Sequence, residues 1–168
     1  AMDADALREA ATKALRENRI YAPAGDNAME YYLALRDKLP NDASVTSALT
    51  DLMPYTLIAT EQSIGREDFV EAQRLSALIE KADPKAPALP RLKQTIAGAQ
   101  QAVAARVETE KTKAVTDAEA KVLEEKRLAQ QAEQQRVAAE ALAAQQQQDA
   151  ARNAEAARTA AAQREAEE

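Results

Sequence analysis

Over the first half of the chain, apolar residues recur at three- and four-residue intervals in runs separated by Pro, Gly and Asn or Asp. In residues 4–18, Leu7, Ala11 (with Ala10) and Leu15 share one helical face and charge occupies the others, which predicts an amphipathic helix. The stretch YAPAGDNAMEYY, residues 21–32, interrupts the pattern. Pro23 restricts Ala22 to extended backbone, and Gly25 permits a turn with positive φ. Asn27-Ala-Met-Glu30 then has the form of a capping box, with the Asn27 side chain accepting from the Glu30 amide and the Glu30 carboxylate reaching back. Tyr21 is placed to fold over the helix pair. A second helix from Ala28 to about Lys38 presents Ala28, Tyr31, Tyr32 and Leu35 on a broad face and ends before Pro40. Asn41 and Asp42 supply the cap of a third, beginning near Ala43 and burying Val45, Ala48, Leu49 and Leu52. Pro54 deletes one backbone hydrogen bond inside it, at about 3 kcal/mol. A kink rather than a break is expected, because Leu57, Ile58 and Ile64 continue the pattern to Gly65. A fourth helix, roughly Arg66 to Lys81, offers Phe69, Ala72, Leu75, Leu78 and Ile79; Asp83-Pro84 closes it and Leu89-Pro90-Arg91 opens a fifth.

From Leu89 the spacing Leu89, Leu92, Ile96, Ala99, Val103 alternates three and four, a heptad opening that packs on the fourth helix as its cap. Beyond Val107 the seam thins to Val115, Val122, Ala129 and Arg136 at sevens, then dissolves into Ala and Gln. Helix propensity persists, because Ala, Gln, Glu, Lys, Arg and Leu are the best formers and neither Pro after Pro90 nor Gly after Gly98 interrupts them. Pairs such as Asp117/Lys121, Glu124/Arg127, Glu133/Arg136 and Glu155/Arg158 add about 0.2–0.5 kcal/mol each on an isolated helix. A continuous helix over this tail would reach about 120 Å. Three readings stay open: a self-supporting rod, a low-complexity linker fraying towards Glu168, or a coiled-coil dimer locked at Val103 to Leu128. The missing stop signal reads as truncation.

Large side chains are concentrated in the first half: every Tyr, Phe and Met precedes Leu89, so only that half can bury a core of bulky residues. The expected fold class is all-α. Residues 3–88 form a small four-helix domain after a cloning remnant, Ala1–Met2, and residues 89–168 form the capping helix and its extension. With no Cys and no His, thiol nucleophiles, ordinary zinc sites and the commonest general base are missing. Glu30 is explained by capping, and Asp51, Glu61, Glu67 and Asp68 read as helix-terminus or solvated charge. No Ser has a strong base beside it, and glycine-rich phosphate loops are absent. The chain therefore reads as a non-enzyme without cofactor or metal. A net charge of −6 disfavours nucleic acid, and no apolar run reaches the ~20 residues of a membrane span. At helical spacing Tyr31, Tyr32, Tyr55 and Phe69 read as core or inter-helix packing. Tyr21 and Tyr31, with Arg16 and Arg19, are the residues to place on an exposed partner-docking groove.

Laying AMEYYLALRDKLPND (28–42) over AQRLSALIEKADPKA (72–86) sets Ala28 on Ala72, Tyr31 on Leu75, Leu35 on Ile79 and Pro40 on Pro84. A small residue early, large residues on the inner face and a terminal proline resemble the second helix of a tetratricopeptide repeat. Ala28, Ala72, Tyr32, Phe69 and Leu75 then stand as repeat-packing residues. The prolines lie 44 residues apart rather than the family's usual 34, an excess the Pro54-containing helix absorbs. ALRENRIYAPAGDNAMEYYLALR and LMPYTLIATEQSI, followed by an Ala/Glu/Gln/Lys/Arg tail, resemble the periplasmic part of a TonB-type energy transducer. The tail itself resembles the TolA helical spacer in composition. That resemblance implies a periplasmic adaptor and spacer, inner-membrane anchored in the full-length protein. It also implies a protein or peptide partner in the cell envelope, and a state that is monomeric or weakly dimeric. The competing expectation is a self-associating coiled-coil scaffold capped by a small helical-repeat domain.

Overall fold

The computed structural model describes residues 1–167 as five helices: α1 (Ala4–Arg16), α2 (Ala28–Lys38), α3 (Ala43–Gly65), α4 (Phe69–Ala82) and α5 (Leu89–Glu167). The fold is all-α, with helical hairpins followed by one long helix. Its contacts divide the chain into two units, one ending at Glu108 and the other beginning at Thr109.

In the first unit α1 packs on α2, α3 on α4, and α2 bridges the two hairpins through α3 and α4. Four helices start on a side chain that accepts an otherwise unpaired amide: Asp3 from Ala6 (2.8 Å), Asn27 from Glu30 (2.9 Å), Asp42 from Ser44 (2.9 Å) and Asp68 from Glu71 (3.2 Å). Asp68 as the cap puts the start of α4 at Phe69, three residues later than the sequence pattern suggests. Arg66 and Glu67 instead close α3. Both first helices of the hairpins end alike. Asn18 (φ 59°) and Glu67 (φ 61°) take the left-handed position usually given to glycine. The next amides, Arg19 and Asp68, reach back to Ala14 and Ser63 at 2.8 and 2.9 Å. The second helices also end alike. Leu39 and Asp83, each before a proline, donate to Leu35 and Ile79 at 2.8 Å.

Packing corrects several faces drawn from spacing. On α1 the buried residues are Leu7, Ala11 and Ala14, whereas Leu15 is exposed. On α2 they are Ala28, Met29, Leu33 and Leu35, with Tyr31 and Tyr32 half-buried. The α3 face runs Val45, Leu49, Leu52, Thr56, Ala59, Thr60, Ser63, so three hydroxyl residues lie inside while Tyr55 and Ile58 stay outside. The inversion has a simple cause. Thr56, Thr60 and Ser63 donate to the carbonyls of Leu52, Thr56 and Ala59 at 3.0, 2.7 and 2.9 Å, so each buried hydroxyl is satisfied within its own helix. Pro54 lies within α3, which runs through it to Gly65.

Ala28, Ala72 and Ile79 are fully buried, and Leu75 nearly so, while Phe69 and Tyr32 are half-buried. A second apolar cluster, Ile79, Ala86, Leu89 and Leu92 with Met53, Leu57 and Ile64 against it, seats the first turns of α5. Further along α5, Arg106 grips Glu67 through two hydrogen bonds of 2.9 and 2.8 Å, which holds the Glu67 carboxyl below its usual range. Arg36 ties α2 to the end of α4 by donating to the carbonyls of Ala82 (2.8 Å) and Lys81 (2.6 Å).

In the second unit, Thr109 to Glu167 is helix throughout and every side chain is exposed. The fraying-linker alternative for the tail therefore gives way to helix over the described residues. Arg127 pairs with Glu124, and Arg136 bridges Glu133 and Glu140. Asp117/Lys121 and Glu155/Arg158 do not close into ion pairs among the described residues. Among the described residues, no helix is long and apolar enough to cross a membrane.

Candidate docking surface

The connection between α1 and α2 is built as a strap rather than a slack loop. After the left-handed turn at Asn18, the carbonyls of Arg19 and Ile20 accept from the amides of Ala28 and Met29 at 2.8 and 2.9 Å. The amides that begin α2, which have no partner within the helix, are thus satisfied by the chain that leads into it. Gly25 turns at φ +81°, a conformation that side-chain-bearing residues resist. Its amide donates to Glu30 Oε2 at 2.6 Å, and Asn27 Nδ2 donates to the Pro23 carbonyl (2.9 Å) and to the same carboxylate. The capping box therefore closes differently from the sequence expectation. Glu30 reaches back to Gly25 and to the Asn27 side chain, not to the Asn27 main-chain amide. The Ala22–Pro23 peptide is cis.

Arg19 and Tyr31 meet on the outside of the strap. The Arg19 guanidinium donates to Glu17 (2.9 Å), to the Asp26 carbonyl (3.0 Å) and to Asp26 Oδ1 (2.6 Å). The Tyr31 hydroxyl donates to the same Asp26 oxygen at 2.5 Å. That bond, with the Arg19 charge, holds the Asp26 carboxyl below its ordinary range; the same bond and burial push the Tyr31 phenol up. Both side chains thus spend their polar groups on the strap itself. Arg16 is exposed in the last turn of α1.

Tyr21 is half-buried and separates two adjoining recesses. One, about 310 Å³, is walled by Asn18, Ile20, Tyr55, Ile58, Ala59 and Gln62. The other, about 400 Å³, runs from Pro23 and Ala24 to Arg66, Asp68, Glu71 and Arg74. Arg74 crosses from α4 to the strap, donating from Nη2 to the Tyr21 carbonyl at 2.9 Å while Nε holds Glu71 at 3.1 Å. Its Nη1 is buried without a hydrogen bond among the described residues and stands 4.0 Å from Glu30 Oε2.

Of the four residues placed on a groove from the sequence, the structure brings Tyr21 to the recess walls and Arg19 with Tyr31 to the strap's ion cluster. Arg16 touches neither recess lining. Tyr55 and Ile58, expected inside, are the apolar residues exposed on the α3 wall, at 56% and 54%. Arg74 and Asp26 went unnoticed in the sequence, because lone charges on a helix or loop carry no periodic signal. The chain matches no protein-family model, and no curated protein or solved structure matches it.

Proposed function

We propose that this chain is a non-enzymatic adaptor and spacer region of a TonB-type, energy-transducing protein of the cell envelope. The helical-hairpin unit, related to tetratricopeptide repeats, offers a protein partner the surface around Tyr21, Tyr55 and Ile58; α5 supplies length. The observation that carries this reading is the helix from Thr109 to Glu167, in which no side chain is buried. A helix of that extent spans on the order of 90 Å and would be wasteful for building a core, but it serves to hold things apart. The matching ends of α2 and α4 at the 44-residue offset support the repeat relationship. Residue chemistry supports the non-enzymatic part: the chain has no His or Cys, and of the carboxylates that line the second recess Glu71 is paired with Arg74 and Asp68 caps α4.

The reading puts this region on the periplasmic side of the inner membrane. In cells making the full-length natural protein, protease added to spheroplasts should degrade it while cytoplasmic proteins survive. Recovery of the intact region in the protected cytoplasmic fraction would overturn the assignment.

A further inference from the structure

The helix of the second unit carries one stripe that steps by three and four through Val115, Ala118, Val122, Ala129, Ala132 and Ala139, all exposed. Two opposite charges interrupt it at the same spacing, Glu125 and Arg136. A charge in a helix–helix seam is costly unless an opposite charge meets it there. Within one helix these two cannot meet, because side chains reach only three or four residues along. Glu125 has no ion-pair partner among the described residues, and Arg136 is already positioned on the surface by Glu133 and Glu140 at 2.6 Å each.

A parallel second copy would stack Glu125 on Glu125 and Arg136 on Arg136. An antiparallel copy centred between Gln130 and Gln131 does the opposite. It sets each Glu125 against the other chain's Arg136, each Ala129 against Ala132, and each Val122 against Ala139. On the flank the same register faces Lys126, itself without an ion-pair partner among the described residues, with Glu133 and Glu140 of the other copy. Sliding by one heptad either way sets Glu125 against Ala129 or Ala143 and strands its charge in the seam, while Arg136 keeps only the pairs of its own helix. Charge complementarity thus selects the partner, the direction and the register together.

We propose that residues 115–146 pair antiparallel with a second copy of this chain, with Glu125 of each copy facing Arg136 of the other. Ala and Val bury little area per heptad, so the association is weak and grows with concentration. Envelope location plays no part in it, so neither reading falls with the other.

The test is sedimentation equilibrium of the whole chain from low to high micromolar concentration, with far-UV circular dichroism to verify that each variant stays helical. Glu125→Arg and Arg136→Glu should each weaken association about tenfold or more, and the double charge swap should restore it. Leu123→Lys, on the flank outside the seam, should leave association unchanged. Because the chain has no cysteine, mixing an Ala129→Cys chain with an Ala132→Cys chain under mild oxidation should give the mixed disulfide dimer, with each chain alone cross-linking far less. A monomer at every concentration overturns the proposal. So does a double swap that fails to rescue, or a preference of Ala129→Cys for itself.

Discussion

Arg74 and Tyr21, far apart in the chain, are joined by a 2.9 Å hydrogen bond from the Arg74 guanidinium to the Tyr21 carbonyl. This bond links the second hairpin to the strap that closes the first, and the same guanidinium holds Glu71 and approaches Glu30. Removing it would leave the Glu71 carboxylate and the Tyr21 carbonyl without this donor in a half-buried place, and would take the nearby positive charge from Glu30.

Arg74→Ala is therefore expected to destabilise the first unit by about 1–3 kcal/mol. All four Tyr lie in that unit and the chain has no Trp, so tyrosine emission follows its unfolding separately from the helical tail. Arg74→Lys should recover only part of the loss, since an ammonium cannot serve Tyr21 and Glu71 in the same fork. An unchanged denaturation midpoint in Arg74→Ala would show that the strap does not depend on this contact.

Ala72 and Ala28 occupy matching places in α4 and α2, and neither has any exposed surface. Ala72→Leu forces three more carbons into a filled interface and should cost about 1–3 kcal/mol. Ala28→Leu should do the same, where α2 packs on α1. If either leaves the tyrosine-detected midpoint in place, the helices are not as close there as the burial requires.

The helix order, the stops at Pro40 and Pro84 and the burial of Ala28, Ala72 and Leu75 were readable from spacing and proline alone, because both act locally. So was the first half of α3, where Val45, Leu49 and Leu52 are buried as expected, but its second half was not. Hydropathy places Ile58 inside and Thr60 outside, yet a threonine hydroxyl that bonds its own helix, as Thr60 bonds the Thr56 carbonyl, loses little on burial. The recess around Tyr21 was half legible. Its loop could be seen in Pro23, Gly25 and Asn27, but its far wall comes from α3 and its anchor from α4, and only tertiary contact joins them.

That reading of α3 gives an opposed pair of expectations. Tyr55→Ser with Ile58→Ser alters only exposed side chains and should move stability by no more than about 0.5 kcal/mol. Leu52→Ala, on the buried face of the same helix, should cost about 2–5 kcal/mol. Comparable losses for the two changes would mean that α3 is rotated relative to the packing described.

Three carboxyls of the first unit are depressed, Glu67 by Arg106 and two others nearer the chain's start, Asp26 and Asp42. Asp26 is held low by the Tyr31 hydroxyl and Arg19, and Asp42 by the Ser44 hydroxyl and Arg8. A carboxyl depressed in the folded state contributes its stability above its unfolded value of about 3.9, and that contribution is lost as pH falls through the folded value. Unfolding midpoints should thus decline below about pH 4. Asp26→Asn with Asp42→Asn should lower stability at neutral pH and flatten the decline. Parallel pH curves for wild type and double variant would exclude both groups as its source.

Ala120 tests the tail most directly, because it lies inside the helix with no side chain buried nearby. Proline there removes the amide that would bond the carbonyl of Thr116 and collides with the preceding turn, at about 3 kcal/mol. Nothing in the second unit offsets that loss, since its helix rests on propensity and on exposed pairs such as Arg127 with Glu124. At low micromolar concentration, where pairing between copies is slight, Ala120→Pro should reduce the far-UV helical signal and broaden its melting. The tyrosine-detected midpoint of the first unit should stay where it was. A shift in that midpoint would mean that the two units share stability. An unchanged helical signal at 222 nm would mean that the helix around Ala120 is held by contacts its exposed side chains do not reveal.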